Sequence, residues 1–313
     1  MIRLTDEQIQ EKYSVAHAIE DVKSILQDLR DDQIVQSVRT VLPAGGASSM
    51  LYMPCISKAA KTSIIKTVSI FPDNDALPTT QGNILLTDLT DGRHQATMDA
   101  SYLTRLRTGA MTAIATDKLA RHDASVLGVI GTGNMAFEQV LGVLEVRNVK
   151  KIVLFNRTLE KARRFKKRLS ASSVQADIKV VDDVSMLADD SDIINCATQS
   201  MHPVFEGADL KPGTHVNGVG SFKSSMREMD VETIRRAGQI YVDDVDAVRE
   251  EAGELIHAVK NAVISWDDIR GSLADIFDGG DLRIDDKEIT LYKCVGAGYF
   301  DLAVASGVMK QFG

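Results

Sequence analysis

Two short runs and three scattered cations carry residue types and spacings that could do chemistry. The first run is Gly131-Thr132-Gly133-Asn134-Met135-Ala136, which follows the apolar stretch Val126-Leu127-Gly128-Val129-Ile130. There Gly131 permits a tight turn, Gly133 lets the backbone approach a pyrophosphate, and Ala136 is small enough for close helix–strand packing. A helix starting at Gly133 or Asn134 adds unpaired N–H groups and a partial positive charge for the phosphates. A glycine turn with no ligand is the bland alternative, and the strand before it and the helix after it weigh against that. The second run, Asn156-Arg157-Thr158, closes the next strand. An acid at that place would take a ribose 2′-hydroxyl and repel a 2′-phosphate. Here Arg157 can pair with the phosphate instead, and Asn156 and Thr158 can donate hydrogen bonds to it. NADP(H) is favoured and NAD(H) is left open; Arg157 as plain surface charge is the competing reading. Together the two runs point to a dinucleotide-dependent oxidoreductase.

Two of the cations sit on faces that should be apolar. Period-two alternation puts Lys66 on one strand face with Ile64, Val68 and Ile70. Helical spacing puts Arg107 on a stripe with Leu103, Ala110, Met111 and Ile114, while Arg105 falls on a different side. Neither charge can be buried alone, so each must meet an anion, either a protein carboxylate or a ligand. Arg39, in an expected strand near the Gly45-Gly46 loop, is a third basic residue of the same region.

The elements that must position these residues follow two grammars. Thr5 can cap a short helix, and Ser14 a longer one to about Arg30. Alternation then predicts strands over 37–42, 51–56, 61–71 and 83–88, with Asp91-Gly92 turning into another over 94–98. A long helix follows over about 99–121. From Ser125 short apolar strands alternate with helices: strands over 126–130, 151–155, 178–181, 192–196, 215–219 and 239–242, and a last helix over 298–310. That order means βαβ units and a parallel sheet covered on both faces. The expected fold class is α/β, with a cut near Arg121-His122-Asp123.

Composition narrows the partners. With 313 residues, 44% hydrophobic and 26% charged, the chain suits two globular domains and no disordered class. A net charge of -8, with acids spread throughout, argues against a nucleic-acid or anionic-membrane partner. The basic run 161–168 reads as a solvated helix face. The opening residues Met1 to Asp6 carry no positive-then-apolar pattern, and no apolar stretch approaches the ~20 residues of a membrane span. Three distant cysteines, Cys55, Cys196 and Cys294, fit free buried thiols, and six scattered histidines give no metal-ligand spacing. The expectation is a cytoplasmic protein with a small-molecule substrate and no metal.

Several motifs in order resemble those of the ornithine cyclodeaminase and mu-crystallin family. They are Met53-Pro54, the run Lys66 to Pro72, the run Leu103 to Ala110, Gly131-Thr132-Gly133, Asn217-Gly218-Val219-Gly220-Ser221, Met226-Arg227-Glu228 and Asp301-Leu302-Ala303. The resemblance covers nearly the whole chain. It implies a homodimer in which an α+β substrate-binding and dimerisation domain, 1–120 joined by the C-terminal helix 296–313, accompanies a Rossmann doubly wound domain, 121–295. It implies that Arg39, Lys66 and Arg107 hold a substrate carboxylate, that Thr108 and Thr80 are cofactor contacts from the first domain, and that Thr198 is another near the nicotinamide.

The same resemblance separates the family's chemistries. Cyclodeaminases carry a glutamate before the Met-Pro pair and an aspartate after the glycines; here those places hold Leu51 and Ser221. Leucine can neither bind nor deprotonate an amine, and serine is a poor base. The Gly220-Ser221 form is similar to the imine-reducing members, which implies an NAD(P)H-dependent reductase of Δ1-pyrroline-2-carboxylate or Δ1-piperideine-2-carboxylate to proline or pipecolate. In that reading Lys66 helps polarise the site and relays a proton, and Ser221 either hydrogen-bonds the ring nitrogen or is a plain turn residue. The alternatives are an ornithine cyclodeaminase, an alanine-type amino-acid dehydrogenase, and a non-catalytic mu-crystallin-like NADPH or ligand binder.

Overall fold

Local signals set the first elements. After β1 (Ile2–Leu4), Thr5 caps α1 (Asp6–Lys12) reciprocally: its hydroxyl accepts from the Gln8 N–H, and the Gln8 side chain accepts from the Thr5 N–H. Ser14 heads α2 (Val15–Arg30). The computed structural model describes residues 1–172, 174–277, 280 and 282–312. It continues with β2 (Ile34–Gln36), β3 (Thr40–Gly45), β4 (Ser48–Ser57), β5 (Thr62–Ile70), β6 (Thr80–Asp88), β7 (His94–Asp99) and α3 (Ser101–Leu119). The alternating region follows: β8 (Val126–Ile130), α4 (Asn134–Val146), β9 (Lys151–Phe155), α5 (Leu159–Ser170), β10 (Asp177–Val180), α6 (Val184–Asp190), β11 (Ile193–Cys196) and β12 (His215–Gly218). Then come α7 (Val231–Arg236), β13 (Ala237–Val242), α8 (Val245–Glu251), α9 (Gly253–Lys260), β14 (Ile269–Ser272), α10 (Leu273–Ile276), β15 (Ile289–Lys293) and α11 (Gly298–Phe312).

The chain divides into two compact units, Met1–Arg107 with Ala297–Gly313, and Thr108–Gly296; the division falls inside α3. The first unit is α+β. Its sheet runs β1-β7-β6-β5-β4-β2, with β3 also paired to β4, and every pairing but β1 with β7 is antiparallel. α2 and α11 pack together, and α11 also packs on β4, β5 and β6. One row of the covered face crosses the sheet through Met53, Lys66, Ile84 and Met98 to Leu4, all buried. Lys66 is thus seated in an apolar row, while Ile65 on the opposite face is exposed.

The expected strand over 37–42 is broken, and Arg39 lies between strands rather than in one. Gln36 pairs with Cys55 and Thr40 with Tyr52, so the three residues Ser37 to Arg39 face the two residues Met53 and Pro54. An extra residue bulges an antiparallel pair, and Pro54 has no N–H to give the ladder. Arg39 is consequently freed from strand alternation.

The second unit is a doubly wound α/β layer. Its eight-stranded sheet, β10-β9-β8-β11-β12-β15-β13-β14, is parallel throughout. Leu127, Val129, Ile152 and Leu154 pack on one face with Ala136, Val140 and Val143 of α4. Ile130, Val153, Ile194 and Val216 build the core on the other. β15, wedged between β12 and β13, has no counterpart among the expected strands. Its sequence Ile-Thr-Leu-Tyr-Lys ends in a charge that reads as solvent-facing, yet Lys293 is fully buried. Among the described residues no helix is long and apolar enough to cross a membrane.

Candidate active site

The second unit holds a cleft at the carboxyl ends of β8, β9 and β11. It is a cavity of about 620 Å³ lined by Gly131, Thr132, Gly133, Asn134, Met135, Asn156, Arg157, Thr158 and Thr198, with Lys161, Gln199 and Ser200. β8 is the third of the eight strands, and the chain runs outward from it to β9 and β10 on one side and to β11 and β12 on the other. That is the switch point where an open parallel sheet leaves a crevice.

The cleft fits a dinucleotide pyrophosphate on three counts. Gly131, at φ +91°, turns the chain, and a Cβ there would lie 2.7 Å from both the Ala197 carbonyl oxygen and Thr198 Cγ2. Gly133 caps α4 with no side-chain hydrogen bond, and a Cβ there would meet nothing within 4 Å, so the helix N-terminus opens on free space. Thr132 Oγ1 is buried with no hydrogen-bond partner among the described residues.

Asn156 plays a role beyond the one expected. Its Oδ1 accepts from the Thr132 N–H at 3.2 Å and its Nδ2 donates to the Thr158 carbonyl at 3.0 Å, tying the glycine turn to the end of β9. Arg157 and Thr158 are exposed at the cleft. Lys161, read from the sequence as part of a solvated basic face, also lines it. Its spacing three residues after Thr158, in the first turn of α5, was the available signal. Thr108 is buried in α3, its carbonyl accepting from Thr112 Oγ1 at 2.9 Å, and is not among the cleft's lining residues. Thr80, at the first position of β6, is exposed and paired with Ile70.

The first unit holds a separate charge cluster. Lys66 Nζ donates to Asp301 Oδ1 at 2.7 Å and to Thr104 Oγ1 at 2.8 Å. Arg107 Nε lies 3.4 Å from the same Asp301 oxygen. Lys66 and Arg107 are 3% and 8% exposed and Asp301 is fully buried, so water screens none of these charges. Burial lowers the Lys66 pKa to about 8, Asp301 opposes that shift, and the like charges of Arg107 and Arg39 deepen it. Asp301 Oδ2 is buried with no hydrogen-bond partner among the described residues.

The anion that the two buried cations required is therefore in part a protein carboxylate. Sequence reasoning had it only as one member of a motif. A stronger signal was present: Asp301 is the one acid in a helix whose residues from Gly298 to Ala305 are all buried.

Ser221 departs from expectation. It is fully buried, its hydroxyl donates to Glu254 Oε1 at 2.8 Å, and Lys293 Nζ donates to its Oγ at 2.6 Å and its carbonyl at 2.7 Å. Lys293 also pairs with Glu254 at 3.3 Å, both side chains being fully buried. The hydroxyl's one proton is committed to Glu254, so Ser221 has none to offer a ring nitrogen. It is instead a member of a buried ionic network.

Comparison with known proteins bears on these two sites. The sequence profile of the Ornithine cyclodeaminase/mu-crystallin family matches residues 1–312. The chain is 34% identical over 290 residues to a Delta(1)-pyrroline-2-carboxylate reductase of Bacillus cereus, covering 91% of this chain and 89% of that protein. It is 32% identical to the ketimine reductase mu-crystallin of Rattus norvegicus, over 90% of this chain and 87% of that one. Among solved structures, Thermococcus litoralis Delta(1)-pyrroline-2-carboxylate reductase in complex with NADH and L-proline superposes with a TM-score of 0.95 at 32% identity. That match covers 99% of this chain and 97% of the other.

Proposed function

The chain belongs to the ornithine cyclodeaminase/mu-crystallin family, and from that premise we propose that it is an NAD(P)H-dependent reductase of a small cyclic imino acid. The substrates are Δ1-pyrroline-2-carboxylate and Δ1-piperideine-2-carboxylate, and the products proline and pipecolate. The observation that carries the reading is the sharing of Asp301 Oδ1 by two buried cations, Lys66 and Arg107. A cationic cluster in an apolar setting, with Arg39 adding to its field, favours a compact monoanion. The named activities and the bound L-proline of the relatives support a ring bearing one carboxylate.

The roles divide by unit. Arg107, Arg39 and protonated Lys66 hold the substrate carboxylate and orient the ring. Lys66, hydrogen-bonded to Thr104 and Asp301, is also placed to pass a proton, because its lowered pKa lets both protonation states exist near neutrality. The glycine turn and the N-terminus of α4 hold the dinucleotide pyrophosphate, with Thr198 on the nicotinamide side and Thr108 and Thr80 as further contacts. A bound reduced nicotinamide supplies the hydride that the imine carbon accepts. Because the protonated imine is already electrophilic, orientation supplies most of the remaining rate. Leu51 is apolar and Ser221 is closed off by Glu254, so neither offers the acid that cyclodeamination of ornithine needs.

NADP(H) is the preferred cofactor. Arg157 follows β9 and Lys161 lies in the first turn of α5, and among the described residues no carboxylate lines the cleft to oppose a 2′-phosphate. Arg157→Ala is expected to weaken NADPH binding about tenfold, the worth of one exposed charge-assisted contact, and to leave NADH binding unchanged. Equal loss for the two cofactors, measured by fluorescence titration, would contradict this assignment. The three buried free cysteines support a cytoplasmic setting, and exposed Val38, Val41, Leu42 and Leu77 in the first unit support its role in a homodimer.

The test is oxidation of NADPH and NADH on adding either cyclic imine, beside pyruvate with ammonium and ornithine with NAD. Turnover of the imines is expected. Ammonia release from ornithine without net change in nicotinamide absorbance would replace this reading with a cyclodeaminase, and cofactor binding without any turnover with a binding protein.

A further inference from the structure

We infer that Glu228 is a positioning residue that fixes the wall of the dinucleotide cleft after β11, and so selects for the nicotinamide half of the cofactor. The inference rests only on the dinucleotide-binding part of the proposed function. Glu228 is fully buried and meets the cleft's lining at Thr198, through that residue's backbone N–H and its side chain. Its Oε1 accepts from the Thr198 N–H at 2.5 Å; its Oε2 accepts from the Gly220 and Ser221 N–H groups at 2.7 and 3.0 Å. One carboxylate thereby clamps the segment leaving β11 to the segment leaving β12.

The clamp works because both segments are already as close as chain allows. Gly220 has no Cβ, and one there would collide with the Thr198 backbone. Thr198 in turn lies against Gly131, so its position is transmitted to the turn that holds the pyrophosphate. Three backbone N–H groups converging on a buried carboxylate form a stiff, charge-assisted junction that a neutral side chain cannot reproduce. Burial raises the Glu228 pKa above the usual carboxylate value; Lys293 and the hydrogen bonds from Thr198 oppose that rise, and the like charge of Glu254 adds to it.

The geometry also says which half of the cofactor is affected. Asn156 and Arg157 end β9 on one side of β8, which is the adenosine side of a doubly wound crevice, and Thr198 follows β11 on the other. The adenosine side makes no contact with Glu228 among its hydrogen bonds. Displacing Thr198 should therefore spare ADP and penalise the whole dinucleotide.

Binding of NADPH, NADH and ADP to the wild-type protein, Glu228→Gln and Glu228→Asp tests this by titration. In Glu228→Gln an amide NH₂ must face one of the clamped N–H groups. The expected result is about a tenfold weaker affinity for the tighter-binding dinucleotide with ADP affinity within about twofold of wild type, and partial recovery in Glu228→Asp, which restores the charge. Equal weakening of ADP and dinucleotide, or no weakening in a variant that binds ADP normally, overturns it. If Glu228→Gln does not fold, Glu228→Asp carries the same comparison, with a selective dinucleotide loss supporting the inference and a uniform one ending it. A wild-type protein that binds neither dinucleotide would sink the proposed function and this inference together, whereas failure of imine turnover alone leaves the inference standing.

Discussion

Replacing Arg107 by methionine is expected to lower kcat/KM for Δ1-pyrroline-2-carboxylate by about a thousandfold, the ~4 kcal/mol that losing one buried charge-assisted contact to a bound carboxylate typically costs. Two features of the cluster make the effect specific. Methionine nearly matches the volume of the buried stem, so the stripe of α3 stays filled. Lys66 and Asp301 are left as a one-to-one ion pair at 2.7 Å, so the variant retains its internal charge balance. Stability and dinucleotide affinity should therefore change little while substrate capture collapses. Steady-state kinetics beside a cofactor titration reads both. A variant that lost cofactor affinity in parallel would mean that Arg107 serves the nucleotide rather than the substrate.

Removing the acid should do the opposite. Asp301→Asn leaves two buried cations facing each other without the negative charge they share, a defect that costs roughly 3–5 kcal/mol, or about 10 °C in thermal midpoint. The variant should also titrate differently. Substrate capture needs protonated Lys66, so kcat/KM is high below the Lys66 pKa and falls as pH rises through it, near pH 8 in the native protein. Asp301 is the group that holds that pKa up, so its loss moves the alkaline limb of the profile to lower pH. Thermal melts and a pH–rate profile check the two halves. An unchanged midpoint together with an unchanged limb would show that the carboxylate is not what balances the pair.

What could be read in advance, and what could not, follows the range of the forces involved. The turn at Gly131 to Ala136 was legible because its signal is contiguous: apolar strand, glycine, small residue, helix. Thr5 and the helix it caps were legible for the same reason. Lys66 and Arg107 were legible as violations, since each put a charge on a face whose other residues are apolar, and that anomaly forced the question of a counter-ion. The answer, Asp301, is 235 residues from Lys66, and only the folded first unit brings them together. Ser221 shows the limit more sharply. Its apparent availability depended on partners 33 and 72 residues away, Glu254 and Lys293, and no spacing rule connects them. The hidden strand β15 and the buried Lys293 at its end are one error seen twice, because a lysine reads as exposed until a carboxylate is found for it. Arg39 was displaced from its expected strand by a bulge, and only the pairing of β2 and β3 with β4 on either side of Met53 and Pro54 reveals that.

The most direct measurement of the central claim compares the rates of reduced-cofactor oxidation with Δ1-pyrroline-2-carboxylate and with Δ1-pyrroline, the same ring lacking its carboxylate. If the Lys66–Arg107–Asp301 cluster exists to hold that group, the acid should be reduced at least about a thousandfold more efficiently in kcat/KM. Equal rates for the two rings, or no reduction of the acid by protein that binds the cofactor, would contradict the account.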